Sequence, residues 1–247
     1  MKLNKIEPKF ISKSNPRIGL IALGSDFRIE KDFNNIIYGR DIDLYVNRIH
    51  CYNPLTNQTL AKMADDITEV TKDILPDQKI DCVAYGCTSG TVAAGYDVIK
   101  EKVNLAKPEA KVTTPITSVI KALNVLGINK ISIFTPYTKT INDSVVNYFK
   151  KENIIINSLT YFDIDSDLDI GKVDEEYLFK ILSKIDLEDS DALFISCTAL
   201  PALAIIDKLE KKLNKVILSS NQTLIWDSLN AINYKEKIDG FGKLFNS

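Results

Sequence analysis

Two short segments carry the residue types that could do chemistry: Gly86-Cys87-Thr88-Ser89-Gly90 and Ser196-Cys197-Thr198. Each follows an apolar run suited to a buried strand and precedes a stretch suited to a helix. A thiol at a helix start meets unpaired backbone N–H groups and the positive end of the helix dipole. These lower its pKa from about 8.5 towards neutrality and also bind carboxylate oxygens. One site could thus hold an acid and furnish a thiolate. If Cys87 and Cys197 approach a ligand from opposite sides, one removes a proton from one face of a carbon and the other returns it on the second face. The same pair suits attack by one thiolate on an alkene carbon followed by rotation.

Other residues join these two as candidates. Ser25 and Asp26, in the loop Leu23-Gly24-Ser25-Asp26-Phe27, and Tyr137, in Thr135-Pro136-Tyr137, are expected to line the cleft, with Tyr137 donating its phenolic proton to a ligand oxygen. Ser219, Ser220 and Asn221 read as a helix cap, with Asn221 also a candidate ligand contact. Cys51 and Cys82 have no counterpart elsewhere and read as inert packing. The segment from Asp163 to Asp169 begins like a calcium loop, but Leu168 takes the Gly position and Asp174 that of the bidentate Glu. It is expected to be a solvated acidic loop, so no metal site is assigned. Gly86, Gly90 and Gly95 match neither a phosphate loop nor a dinucleotide fingerprint, which argues against a nucleotide.

The elements that must position these residues alternate along the chain, as in parallel-sheet α/β folds. Expected strands are Arg17–Leu23, Asp43–Ile49, Ile80–Tyr85, Lys130–Phe134, Ile154–Thr160, Asp191–Ile195 and Lys215–Leu218. Helices are expected over Gln58–Leu75, over Thr114–Leu126 with a Thr cap and a Gly127 stop, and over Asn221–Ile232. An internal repeat organises them. Asp81 to Thr88 reappears as Asp191 to Thr198, Arg17-Ile-Gly-Leu-Ile as Lys130-Ile-Ser-Ile-Phe, and the stretch from Thr113 as that from Ser219. The chain reads as two similar α/β halves, 1–121 plus 219–247 and 122–218, with the last helix packing back on the first half.

Composition narrows the function further. Thirty-one Lys and Arg against 33 Asp and Glu, a net charge of −2, suggest no attraction to nucleic acid or anionic lipid. No apolar run is long enough for a membrane span, and the start lacks the apolar core of a secretory signal. The only histidine is His50, and the arginines, Arg17, Arg28, Arg40 and Arg48, all lie in the first fifth of the chain. A His-dependent triad and a multi-His metal site are therefore excluded. Four cysteines without a CxxC pair suggest reduced thiols and a cytoplasmic protein. Self-association into a homo-oligomer is compatible with this composition.

The two Cys motifs, with Phe134-Thr-Pro-Tyr137 and the run from Leu218 to Trp226, resemble the aspartate/glutamate racemase superfamily. The closest branch comprises maleate cis-trans isomerases, arylmalonate decarboxylase and ectoine-utilisation proteins. The resemblance implies two pseudo-symmetric three-layer (αβα) domains with mainly parallel sheets, and cofactor-independent chemistry in the cleft between them. It implies Cys87 as nucleophile, Cys197 as acid/base, and Thr88, Ser89, Tyr137 and Thr198 as carboxylate binders. The expected activity is isomerisation or racemisation of a small carboxylic acid, either a maleate-like diacid or an ectoine-pathway amino-acid derivative. A malonate-type decarboxylase using Cys197 and a non-catalytic carboxylate-binding protein are the alternatives. Arylmalonate decarboxylase has Gly at the first Cys position, so Cys87 favours the isomerase. Where maleate isomerases carry an Asn at the end of the first loop, this chain has Asp26, which suits a cationic or zwitterionic substrate better than a dicarboxylate.

Overall fold

The structure, a computed structural model, describes residues 1, 3–11, 14–187 and 189–247. Its strands are β1 (Arg17–Leu23), β2 (Asp43–Ile49), β3 (Cys82–Tyr85), β4 (Lys111–Thr113), β5 (Lys130–Thr135), β6 (Ile155–Tyr161), β7 (Ala192–Ile195) and β8 (Val216–Ser219). Strands β1, β3, β5 and β7 are buried almost throughout, which explains why they read as continuous apolar runs: helices cover both faces of a parallel sheet. The edge strands β2 and β6 are half-exposed and more polar.

The strands form two parallel sheets, ordered β2-β1-β3-β4 and β6-β5-β7-β8. The order is the same in both, so the repeat seen in the sequence is a repeat of topology. In each sheet the direction of winding reverses at the central pair, β1/β3 or β5/β7. The crevice for a ligand in open α/β sheets lies outside the carboxyl ends at this reversal. Cys87 and Cys197 follow β3 and β7, so both halves deliver a thiol to that edge.

Three expectations need correcting. The long helix over Gln58–Leu75 is split into Asn57–Lys62, a 3-10 turn Met63–Asp66 and Ile67–Lys72. Asp65 and Asp66 are poor interior helix residues, and β-branched residues follow them. Strand β4 was not anticipated, because three residues are too few to show a period. The helix Pro115–Leu126 starts and stops as expected, with Gly127 left-handed at its end, but the Thr114 hydroxyl pairs with Thr117 Oγ1 at 2.9 Å instead of capping the backbone.

The last helix, Ser220–Ala231, packs on Pro115–Leu126 and on β3 and β4 of the first sheet. Buried polar contacts fix it there. Asp227 accepts from Ser118 Oγ at 2.9 Å and from Lys121 Nζ at 2.7 Å, and Ser228 Oγ pairs with Thr113 Oγ1 at 2.8 Å. Because β8 of the second sheet leads directly into this helix, its first residues lie between the halves.

Candidate active site

Residues from the carboxyl ends of β1, β3, β5 and β7 line one small, closed cavity of about 10 Å³: Leu23, Cys87, Thr88, Ser89, Tyr137, Cys197 and Thr198, joined by Leu55, Leu60 and Asp167. A wider groove at the opposite ends of the strands, bounded by Lys72, Pro76, Lys79 and Glu109, is lined, among the described residues, by no thiol or hydroxyl side chain.

The two thiols are held differently. Cys87 caps the helix Thr88–Ala94, its Sγ accepting from the Gly90 N–H at 3.2 Å, and the Thr91 hydroxyl donates to its carbonyl at 2.7 Å. Gly90 is required by close approach: a Cβ there would lie 2.8 Å from Cys87 Sγ and 2.9 Å from the Tyr85 hydroxyl. Tyr85 is wholly buried and its hydroxyl has no hydrogen-bond partner.

Cys197, by contrast, does not open a helix. The chain runs through bends to Pro201, and only after a 3-10 turn at Leu203–Ile205 does the helix Ile206–Leu213 begin. Proline disfavours helical conformation in the residue before it and offers no N–H, which delays the helix. Cys197 instead has φ +109°, a conformation strained for any residue with a Cβ. Its N–H donates to Ser220 Oγ at 2.9 Å. This geometry yields an expected result. Glycine at a position is ordinarily about 0.5–1 kcal/mol less stable than alanine, but here Cys197→Gly should be more stable than Cys197→Ala by about 1 kcal/mol. Denaturant unfolding of the two variants checks this, and the ordinary order would refute the strain.

The expectation of thiols shifted towards neutrality is also corrected. Burial pushes both Cys87 and Cys197 well above the usual thiol range. For Cys87, nearby Cys51 adds to the rise, and the Gly90 N–H and Ser89 hydroxyl oppose it. For Cys197, Asp167 adds to the rise, while the Ala199 N–H and the Tyr137 hydroxyl favour the thiolate. In this closed arrangement desolvation outweighs one or two hydrogen bonds, and both sulfurs are protonated. Cys82 packs as expected, with its Sγ 3.7 Å from Thr113 Oγ1. Cys51 is less remote than its sequence suggested, standing near Ser25, Asp167 and Cys87, with burial raising it to about 11.

Several predicted residues stand one layer behind the cavity. Asp26 is fully buried, and its Oδ1 accepts from the N–H groups of Arg28 at 2.7 Å and Ile29 at 3.0 Å, which ties it to the start of the helix Ile29–Ile37 and away from the wall. Ser25 donates to Asp167 Oδ2 at 2.5 Å. Asn221 donates from Nδ2 to the Thr198 carbonyl at 2.8 Å and to Asp32 Oδ2 at 2.8 Å, so it shapes the second Cys turn. Ser220, read from the sequence only as a cap, links both turns: besides Cys197, it pairs with Thr88 Oγ1 at 2.8 Å.

Asp167 is the residue that sequence reasoning missed. The acidic segment is solvated at Asp163, Asp165 and Asp169, as expected, but Asp167 turns inward and is 3% exposed. The local pattern carries no signal for this, since Leu168 beside it is exposed while Asp167 is buried. Burial, partly offset by the Ser25 hydroxyl, raises Asp167 to about 6. The loop is fastened across the halves, since Asp165 O accepts from the Leu55 N–H at 2.7 Å and Gly171 O accepts from Arg28 Nη2 at 3.1 Å.

Asp32 gives a pH prediction. Burial raises it to about 7, against the opposing hydrogen bond from Asn221. A carboxyl raised on folding stabilises fully below its unfolded pKa, and that stabilisation is lost as pH rises through the folded value. Asp32→Asn should therefore be more stable than wild type by about 1–2 kcal/mol at pH 8 and no more stable near pH 4. Unfolding midpoints at the two pH values test the sign.

Comparison with known proteins follows from this geometry. The sequence profile of the arylmalonate decarboxylase (Amdase) family matches residues 41–245. The maleate isomerase of Geobacillus stearothermophilus is 24% identical over 245 residues, spanning 93% of this chain and 97% of the relative. A Nocardia farcinica maleate cis-trans isomerase variant with a covalently bound succinylcysteine intermediate superposes with a TM-score of 0.86 at 18% identity, covering 94% of this chain and 98% of the other. A liganded double mutant of arylmalonate decarboxylase superposes with a TM-score of 0.82 at 20% identity, covering 94% and 99%.

Proposed function

Because the chain belongs to the arylmalonate decarboxylase family, we propose that it is a cofactor-independent isomerase that works on a small carboxylic acid with two cysteines, Cys87 and Cys197. The observation that carries this reading is the convergence of two thiols, from equivalent turns of two topologically identical halves, on one enclosed cavity. The halves are taken as residues 1–121 plus 219–247 and 122–218.

In the forward step, Cys87 first gives up its proton to solvent while the site is open, and its thiolate adds to one carbon of a cis-alkenoic acid. The Cys197 thiol gives its proton to the neighbouring carbon, next to the carboxylate, and becomes the thiolate. The former double bond is now single and rotates. Cys197 then takes a proton back, the double bond re-forms in the trans arrangement, and Cys87 leaves as thiolate. The Tyr137 hydroxyl and the Ala199 N–H stabilise the Cys197 thiolate, and the Ser89 hydroxyl that of Cys87. Thr88, Ser89, Tyr137 and Thr198 hold the carboxylate. Maleate isomerase relatives support this reading, one with a succinylcysteine in its structure. The same pair of thiols also suits racemisation of an ectoine-pathway amino-acid derivative. Free thiols, and the absence of any helix long and apolar enough to cross a membrane among the described residues, are in keeping with a cytoplasmic location.

Incubation in D2O with a panel of small cis-alkenoic and amino acids, followed by NMR, tests the proposal. Interconversion of isomers with deuterium entering next to the carboxylate is the expected result. Activity undiminished in Cys87→Ser and Cys197→Ser would overturn it. Leu23, Leu55 and Leu60 give the cavity an apolar side that favours loss of a carboxylate as carbon dioxide, so decarboxylation by Cys197 is the second reading. Carbon dioxide release that persists in Cys87→Ser would select it.

A further inference from the structure

The cavity wall carries a negative group and no positive one. Among the described residues that line it there is no Lys or Arg, and Asp167 is the one acid. The arginines are occupied elsewhere: Arg28 bonds the Gly171 carbonyl, Arg48 the Leu23 and Asp26 carbonyls, Arg17 the Lys79 carbonyl and Arg40 the Ile36 carbonyl. The Asp167 carboxylate has one oxygen, Oδ2, bonded to Ser25, and no described group donates to the other. Behind it lies Asp26, fully buried, with the Thr198 hydroxyl and the Arg48 guanidinium near it. A second carboxylate on the substrate would face Asp167 with no cation on the cavity wall to offset it.

We propose that the substrate carries only one carboxylate, held by the hydroxyl-lined wall of Thr88, Ser89 and Thr198, and that its second polar group is an N–H donor, a carboxamide or an ammonium, received by Asp167. This rests on the reading of the cavity as the reaction site. An N–H donor there fills the open acceptor of Asp167 and offsets its repulsion of the Cys197 thiolate, whereas a carboxylate adds to that repulsion. Asp167 is then the specificity-determining residue of the site. A site built to receive a donor rejects an analogue lacking it, because a buried polar group is left unpaired.

The test compares maleate with its monoamide, maleamate, at pH 8, where Asp167, raised to about 6, is ionised. Wild-type protein should isomerise maleamate with kcat/KM about tenfold or more above that for maleate, and Asp167→Asn should lower that ratio by about tenfold. Preference for maleate, or a ratio unchanged in Asp167→Asn, overturns the proposal. A second measurement needs neither turnover nor a variant. Calorimetry on wild-type protein with the saturated acids succinamate, 4-aminobutanoate and succinate should show one or both nitrogen-bearing acids binding about tenfold more tightly than succinate, and which of the two binds tells carboxamide from ammonium. Succinate binding as tightly as both, or none of the three binding, refutes it. Failure of the isomerase reading would appear separately, as binding with this preference but no turnover of either alkene.

Discussion

Replacing Cys197 by serine is expected to lower kcat by about 10³-fold, and replacing Cys87 by at least as much. Serine keeps the size of the side chain but its hydroxyl is far less acidic and a far weaker nucleophile than a thiol, so the proton transfer and the addition both fail. Among the described residues, no third thiol lines the cavity to substitute. His50 lies exposed at the end of β2, outside the cavity, and the remaining acid on the wall, Asp167, is bonded to Ser25. Because the two thiols act on one intermediate, the double variant should be no slower than the slower single one, the non-additivity expected of residues that work as a unit. Initial rates on a turned-over acid, with thermal unfolding to show that the fold persists, measure this. Either variant keeping more than about a tenth of the wild-type rate would contradict a two-thiol mechanism.

The second large effect is expected at Gly90. Gly90→Ala should lower kcat by about 10²-fold and reduce stability by about 1–3 kcal/mol. The added Cβ meets Cys87 Sγ, the Tyr85 hydroxyl and Met63 Cε at 2.8, 2.9 and 3.0 Å, all of them buried, so the thiol that must reach the substrate is the group displaced. Gly95→Ala provides the control. Gly95 has φ +89° with open space around it, so that substitution strains the backbone without touching the sulfur. It should lose stability by about 1 kcal/mol while keeping the rate. Equal rate losses at Gly90 and Gly95 would mean that the effect is general loosening and not displacement of Cys87.

Much of this arrangement was legible in the sequence because the buried strands carry unbroken apolar runs and because the repeat preserves Asp, Cys and Thr in register. That register alone placed Cys87 and Cys197 at corresponding strand ends, and the structure puts them on one cavity. What was not legible depends on contacts between distant segments. Asp167 looks like its solvated neighbours until Ser25, 142 residues away, is seen to bond it. Asp26 reads as a loop residue free to meet a ligand, but the backbone N–H groups of Arg28 and Ile29 claim one oxygen. The helix expected after Cys197 is deferred past Pro201, and the thiol pKa values depend on burial, which a local reading of helix ends does not supply.

The most direct test of the account is the mass of the Cys197→Ser protein after incubation with maleate and with maleamate. Over a long incubation water can supply the proton that Cys197 gives in the forward step, but without that thiol to take it back the adduct on Cys87 should persist. Intact-protein mass spectrometry should show a gain equal to one molecule of acid, and peptide mapping should place it on Cys87. No gain with either acid, or an adduct located on Cys51 or Cys82 with Cys87 unmodified, would contradict the claim that Cys87 and Cys197 act as nucleophile and proton carrier across one cavity.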